Sequence, residues 1–347
     1  MTALEIGLAW QTDKPPGRYG ELAAAAETSG FDVASVFADL LYQPPLPALL
    51  EMARATSRIR LGAACLNPFT QHPYEIAGGL AVLDAVSSGR AYLGLARGAW
   101  LDAIGLAPAR PLDALRDAAA IVRALLSGDT QGYNGAVYRL APGVRLRGMA
   151  GSSGGAGASG GAGAAGRVPS LLLGAWGPRG AALAGEIADE IKVGGSANPA
   201  VAALVRERVR ASASAFGRPA DAVRVVLGAV TVVDRDGSAA RRLARTEVAK
   251  YLAVVADLDP AGALPPGLVS QVRRLVAAGA DDAAGLLIPD SVLDRFAFSG
   301  TPEHVAALAQ RVLDAGAGRI DFGGPHGLTD AGGVELLGRE VLPRLRR

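Results

Sequence analysis

Apolar positions along the chain fall into two alternating patterns. Short, nearly continuous apolar runs occur at 4–10 (LEIGLAW), 33–37 (VASVF), 59–66 (IRLGAACL), 91–96 (AYLGLA), 170–175 (SLLLGA), 190–195 (EIKVGG), 223–233 (VRVVLGAVTVV) and 319–324 (RIDFGG). Between them, apolar residues return at helical spacing over 18–29, 46–56, 73–87, 112–126, 179–188, 199–215 and 239–255. Strands covered on both faces read as continuous apolar runs, because neither side meets water. Eight such runs alternating with helices in 347 residues predict one (β/α)8 TIM barrel, an α/β fold spanning 1–347. The alternative is an open, doubly wound sheet. It would carry a glycine-rich nucleotide turn after the first strand, and LAWQTDKPPG has none.

Three stretches exceed a minimal barrel. Residues 131–147 alternate and turn like a β-hairpin. Residues 148–166 are almost wholly Gly, Ala and Ser, with no apolar content to offset ordering, and read as a flexible surface insertion rather than a lid. Residues 260–290 read as a helical insertion that could form a cap or interface element.

Composition then narrows the partners. A net charge of +2 gives no electrostatic reason to expect nucleic acid or an anionic membrane surface. Three histidines and one cysteine leave no disulfide framework and little material for a metal site, so no metal is expected. Cys65, inside an apolar run, reads as a small core residue. No basic segment followed by an apolar run opens the chain, and a soluble cytoplasmic protein is the expectation.

In a barrel, chemistry gathers at the carboxyl ends of the strands. Those ends supply Trp10, Gln11 and Asp13; Asp39; Leu66, Asn67 and Thr70, with His72 close behind; Arg97, Gly98 and Trp100; the GAWGPR segment from Gly174; Gly194 and Ser196; and the GGPHG segment at 323–327. Glycine at such ends lets backbone N–H groups approach an anion or a flat ring, and the helix opened by GAWGPR has an N-terminus that favours phosphate. Arg97, flanked by small residues, suits an anionic ligand group, with a surface ion pair as the plainer alternative. Asp39 is a candidate proton-transfer or cofactor-contacting acid, or else a loop acid. His72 precedes a proline and is either a catalytic group or a helix cap. Trp100 and Trp176 would wall a pocket or join the core. His304 reads as exposed; His326 lies in a loop within reach of a ligand or partner.

The stretches LNPFTQHPYEIAGGLAVLDAVSSGRAYLGLARGAW, GAWGPRGAALAGEIADEI and FSGTPEHVAALAQRVLDAGAGRIDFGGPHG together resemble the bacterial luciferase-like superfamily. Within it, the chain is most similar to the F420-dependent methylenetetrahydromethanopterin reductase branch. The resemblance implies a flavin or the deazaflavin F420 in the barrel mouth, with a non-prolyl cis peptide at Ala64–Cys65 backing the ring. It places Asn67 and Thr70 near the ring or ribityl chain and makes Asp39 a cofactor-site aspartate. Gly98 matches the glycine that admits the cofactor beside the fourth strand. Gly174, Ala175, Gly177 and Pro178 match the segment lining the phosphate or ring edge. The chain also departs from its relatives. Leu40 stands where a proton-donating histidine often follows the aspartate, Ala9 where the archaeal reductases carry glutamate, and Ala99 where the sugar-phosphate dehydrogenases do.

The leading expectation is an F420-dependent oxidoreductase passing a hydride between the deazaflavin and a small organic substrate. The alternatives are an FMN-dependent monooxygenase of the same superfamily and a non-catalytic flavin-binding protein. A homodimer is also expected. The resemblance implies it, and helix 73–87 is apolar around most of its circumference, with Ala77, Gly78 and Gly79 small enough for close helix contact.

Overall fold

The computed structural model describes residues 4–147, 168–259 and 264–345. The insertion expected at 148–166 lies outside the described residues. The strands are β1 (Glu5–Trp10), β2 (Val33–Val36), β3 (Arg60–Ala63), β4 (Tyr92–Ala96), β5 (Tyr133–Asn134), β6 (Arg139–Leu140), β7 (Ser170–Gly174), β8 (Glu190–Gly194), β9 (Arg224–Val233), β10 (Ala297–Gly300) and β11 (Arg319–Gly327). Eight of them pair in parallel in the order β3-β2-β1-β11-β9-β8-β7-β4. The bridges Leu61–Ala91 and Leu66–Leu95 join β3 to β4 and close the ring. The barrel reading therefore stands, and the doubly wound alternative falls.

Boundaries shift where the backbone departs from a regular strand or helix. The run at 59–66 stops pairing as β3 at Ala63, where Ala64–Cys65 is cis, and pairing resumes at Leu66. The final strand continues to Gly327 through a cis Gly324–Pro325 peptide and a register shift, because the long β9 pairs with it as far as Val233. Helices expected to start at 46, 112 and 179 start at Pro45, Pro111 and Pro178. Proline suits the first helical position, where its missing N–H has no partner to lose.

Residues 131–147 contain the antiparallel pair β5–β6, with Tyr133 opposite Leu140. The later excursion contains helices Leu268–Ala277, Asp281–Leu286 and Asp290–Phe296. It leads into β10, which pairs with the outer part of β9. Among the described residues, no helix is long and apolar enough to cross a membrane.

The inside of the barrel is polar at its amino-terminal end. Arg60 pairs with Glu5 (2.8 Å) and Glu190 (2.9 Å), Arg224 with Glu5 (2.6 Å), and Arg319 with Glu190 (2.6 Å). The Arg60 and Arg319 guanidinium groups each lie over the Tyr92 ring, 5.7 and 5.6 Å from its centroid. The helix Pro73–Val86 corrects one expectation. Ala77 is fully buried against the barrel and unavailable to a second chain, and a methyl on Gly79 would meet Leu46. Tyr74, Gly78, Val82 and Ala85 form its outward face.

Candidate functional site

Three groups of residues assemble at the carboxyl ends of the strands. The first joins β1 to β2. Gln11 Nε2 donates to Asp39 Oδ2 at 2.9 Å, while the Thr12 N–H donates to Gln11 Oε1 at 3.1 Å. Burial raises the Asp39 carboxyl above its ordinary range, and the Gln11 hydrogen bond opposes part of that rise.

The second group follows β3 and β4. Asn67 is buried, and its Oδ1 accepts from the backbone N–H of Phe69 and Thr70 and from the Thr70 hydroxyl. This carboxamide shapes the turn after β3, as Asn does when its side chain satisfies nearby backbone donors. Gly98 lies against it with φ of 82°, and a methyl there would stand 3.2 Å from Asn67 Cγ. Both the left-handed backbone and the close approach require glycine. Cys65 is half-buried beneath, and burial pushes its thiol up to about 12. Arg97 is exposed at the end of β4, with no hydrogen-bond or ion-pair partner among the described residues.

The third group follows β7 and β8. Trp176 Nε1 donates to the Gly194 carbonyl at 2.9 Å, and the Ala175 N–H donates to the Lys192 carbonyl at 3.0 Å. Gly177 precedes the helix Pro178–Ile187 and supplies no side-chain cap, so its first-turn N–H groups remain available. Because Ala96 pairs with Gly174, the Arg97 loop and this helix start from adjacent strand ends.

Residues 2–319 match the family model described as luciferase-like monooxygenase. The chain belongs to this family. It is 28% identical to the 5,10-methylenetetrahydromethanopterin reductase of Methanolobus tindarius, over 98% of this chain and 100% of the relative. It is also 28% identical to the F420-dependent glucose-6-phosphate dehydrogenase of Nakamurella multipartita, over 95% and 93%. The structure of the coenzyme F420-dependent tetrahydromethanopterin reductase from Methanopyrus kandleri superposes with a TM-score of 0.87, at 23% identity, covering 99% of this chain and 100% of that one.

The cis peptide that the luciferase-like resemblance implied is present at Ala64–Cys65. The strand ends bring Asp39, Cys65, Asn67, Thr70, Gly98 and the 174–178 segment to one face of the barrel. His72 is set apart. It is exposed, caps the helix Pro73–Val86 by accepting the Tyr74 N–H on Nδ1 (3.1 Å), and meets the Tyr138 ring edge-on at 5.5 Å. His304 is exposed as expected. His326 is fully buried, with Nδ1 2.9 Å from Asp330 Oδ1 and Nε2 3.1 Å from the Phe322 carbonyl. Trp100 is exposed, with φ of 54°. No cluster of metal-binding side chains occurs among the described residues.

Sequence reasoning missed two features of this barrel. The buried Asp117 accepts from the Tyr133 hydroxyl and from the Val137 and Tyr138 N–H groups. Tyr138 in turn donates to the Pro68 carbonyl at 2.5 Å, so the hairpin straps the turn containing Asn67 and Thr70. The second is Lys192, buried inside the barrel and bonded to Asp321 at 2.6 Å. Charged residues within the apolar runs EIKVGG and RIDFGG, two in each, were the available signal. A hollow lined by Arg60, Arg90, Ser170 and Asp189 opens at the opposite, amino-terminal end, away from these loops.

Proposed function

We propose that this chain is an F420-dependent oxidoreductase that passes a hydride between the deazaflavin and a small organic substrate. The observation that carries the reading is full-length kinship to enzymes named for F420 dependence, on a barrel of the same fold as one of them. Arg97 and the uncapped helix Pro178–Ile187 offer a guanidinium and backbone donors to an anionic tail. Asn67, Thr70 and Gly98 form the wall beside the ring, with Ala64 and Cys65 behind it. Ala175, Trp176, Gly177 and Gly194 line the opposite side with little side-chain bulk other than the indole.

F420, when bound, supplies the hydride chemistry; the protein supplies position and field. In this reading Asp39 holds the exchangeable proton that Leu40 cannot, with its carboxyl raised by burial and oriented by Gln11. His72 acts by capping the helix Pro73–Val86 rather than on substrate. The reading includes a cytoplasmic location and a homodimer formed through the outward face of helix Pro73–Val86.

Titration with F420 and with FMN, followed by absorbance and fluorescence quenching, tests the cofactor. F420 is expected to bind more tightly. Tighter binding of FMN would overturn the reading in favour of the monooxygenase, and binding of either without turnover across a substrate panel would favour a non-catalytic protein.

A further inference from the structure

The amino-terminal end of a TIM barrel ordinarily serves stability rather than ligands. Here it holds a hollow of about 520 Å³, within the size range of small-molecule pockets. Its walls come from the starts of four neighbouring strands. Arg60 opens β3, Arg90 lies just before β4, Ser170 opens β7, and Asp189 directly precedes β8.

Two of these residues are cations with different surroundings. Arg90 is held by neutral groups alone. Its Nε donates to the Ser87 carbonyl, Nη1 to Thr56 Oγ1 and the Ile59 carbonyl, and Nη2 to the Ala53 and Thr56 carbonyls. All the guanidinium N–H groups are used, and no carboxylate accepts from any of them. The charge is therefore fixed in place without a bonded counter-charge. Burial pulls this guanidinium below the ordinary arginine value, against the attraction of Glu27.

Arg60 keeps donors to spare. Nη1 donates to Glu5 and Glu190, and Nη2 donates to Ser170 Oγ at 2.9 Å. Nε and the second Nη2 hydrogen have no partner among the described residues. The Ser170 hydroxyl accepts from Arg60, and its own proton has no acceptor among those residues. Arg60 also belongs to an ion-paired set in which Arg60, Arg224, Arg319 and Lys192 stand against Glu5, Glu190 and Asp321. Among the described residues that is four cations to three carboxylates. The Arg60 side chain is 25% exposed, against 13, 0 and 5% for Arg224, Arg319 and Lys192, so an added anion reaches the set at Arg60. The carboxylate of the hollow is already engaged. Asp189 Oδ2 accepts from the Leu171 N–H at 2.8 Å and lies 3.7 Å from Arg123.

We propose that this hollow is a binding site for a small oxyanion of the phosphate class, which accepts from the Ser170 hydroxyl and the spare N–H groups of Arg60 in the field of Arg90. Hydrogen bonds from a guanidinium to an oxyanion are charge-assisted, and the semi-enclosed setting strengthens them. The same chemistry fits inorganic phosphate and the head of a phosphate monoester. The site lies at the opposite end of the barrel from the strand ends discussed above and stands independently of the F420 reading.

Isothermal titration calorimetry of the full chain with inorganic phosphate, at an ionic strength held constant with chloride, tests the proposal. The wild type should bind one phosphate saturably. Ser170→Ala should weaken binding about fivefold, the share of one hydrogen bond. Val168→Glu, which adds a carboxylate to the half-buried rim of the hollow, should abolish it. Thermal unfolding checks that both variants fold, and Ser170→Ala decides alone should Val168→Glu fail to do so. Competition by phenyl phosphate assigns a phosphate monoester as the source, and its failure to compete assigns the free ion. Three results overturn the proposal: no saturable phosphate binding to the wild type, affinity unchanged in the folded variants, or displacement of phosphate by F420, which would place it at the mouth.

Discussion

Gln11 and Asp39 meet across the first two strand ends through a hydrogen bond whose direction is fixed. The Thr12 N–H occupies Gln11 Oε1, so the amide can offer only Nε2 to the carboxyl, at 2.9 Å. This bond favours the charged form of Asp39, against the larger effect of burial. Gln11→Leu should therefore raise the Asp39 carboxyl further. The limb of the pH–rate profile that reports loss of its proton should move to higher pH, by up to about one unit. Gln11→Glu should not restore the wild-type limb, because two carboxyl groups would then oppose each other.

Asp39→Asn separates function from stability. A carboxyl raised in the folded state contributes most below its ordinary value of 3.8, and that contribution is lost as pH rises through the raised value. At neutral pH the variant should melt at a higher temperature than wild type, and the difference should shrink as the solution is acidified. Turnover should fall by about 10²-fold or more, the scale of a lost proton donor. Unchanged turnover with F420 would remove Asp39 from the proton path.

Arg97 is exposed and without a partner among the described residues. Arg97→Ala should leave the melting temperature near wild type and weaken F420 binding tenfold or more, since a charge-assisted contact contributes about 1.5–3 kcal/mol. Fluorescence titration alongside thermal unfolding checks both halves.

Asp117 ties the β5–β6 hairpin to the helix Pro111–Ser127. Asp117→Ala leaves three part-buried donors without their acceptor, and urea unfolding should show a loss on the order of 2 kcal/mol. Tyr138→Phe should cost about 1 kcal/mol, the net contribution of one hydrogen bond, yet weaken F420 binding, because the hairpin loses its hold on the Asn67 turn.

The homodimer expectation is tested at Gly78 rather than at the buried Ala77. Light scattering at micromolar concentration should give about twice the 35.1 kDa chain mass for wild type, and Gly78→Arg should reduce it to one chain. A 35 kDa wild-type particle would remove the dimer.

The barrel was legible because eight buried strands leave eight apolar runs, and their ends can be located to within a few residues. β10 was not: its four residues, AFSG, are too short to show a period, and only its partner β9 makes them a strand. Asp39 and the glycine-rich ends were legible because loops after barrel strands expose their chemistry in order. Asp117 looked like any polar residue within a helix, since its partners lie 16 to 21 positions away. Ala77 and Gly78 were interchangeable in sequence, and only the helix's rotation against the barrel separates them.

The ion network at the amino-terminal end of the barrel also bears on how the two halves of the chain are held together. Glu190 has a side chain only 5% exposed, and its cations Arg60, Arg224 and Arg319 come from β3, β9 and β11. Arg224 and Arg319 belong with Glu190 to the second half of the barrel, whereas Arg60 and Glu5 come from the first. Closing the ring therefore joins the two halves through charge as well as through strand pairing, and the loops at the opposite end stand on a ring clasped from beneath.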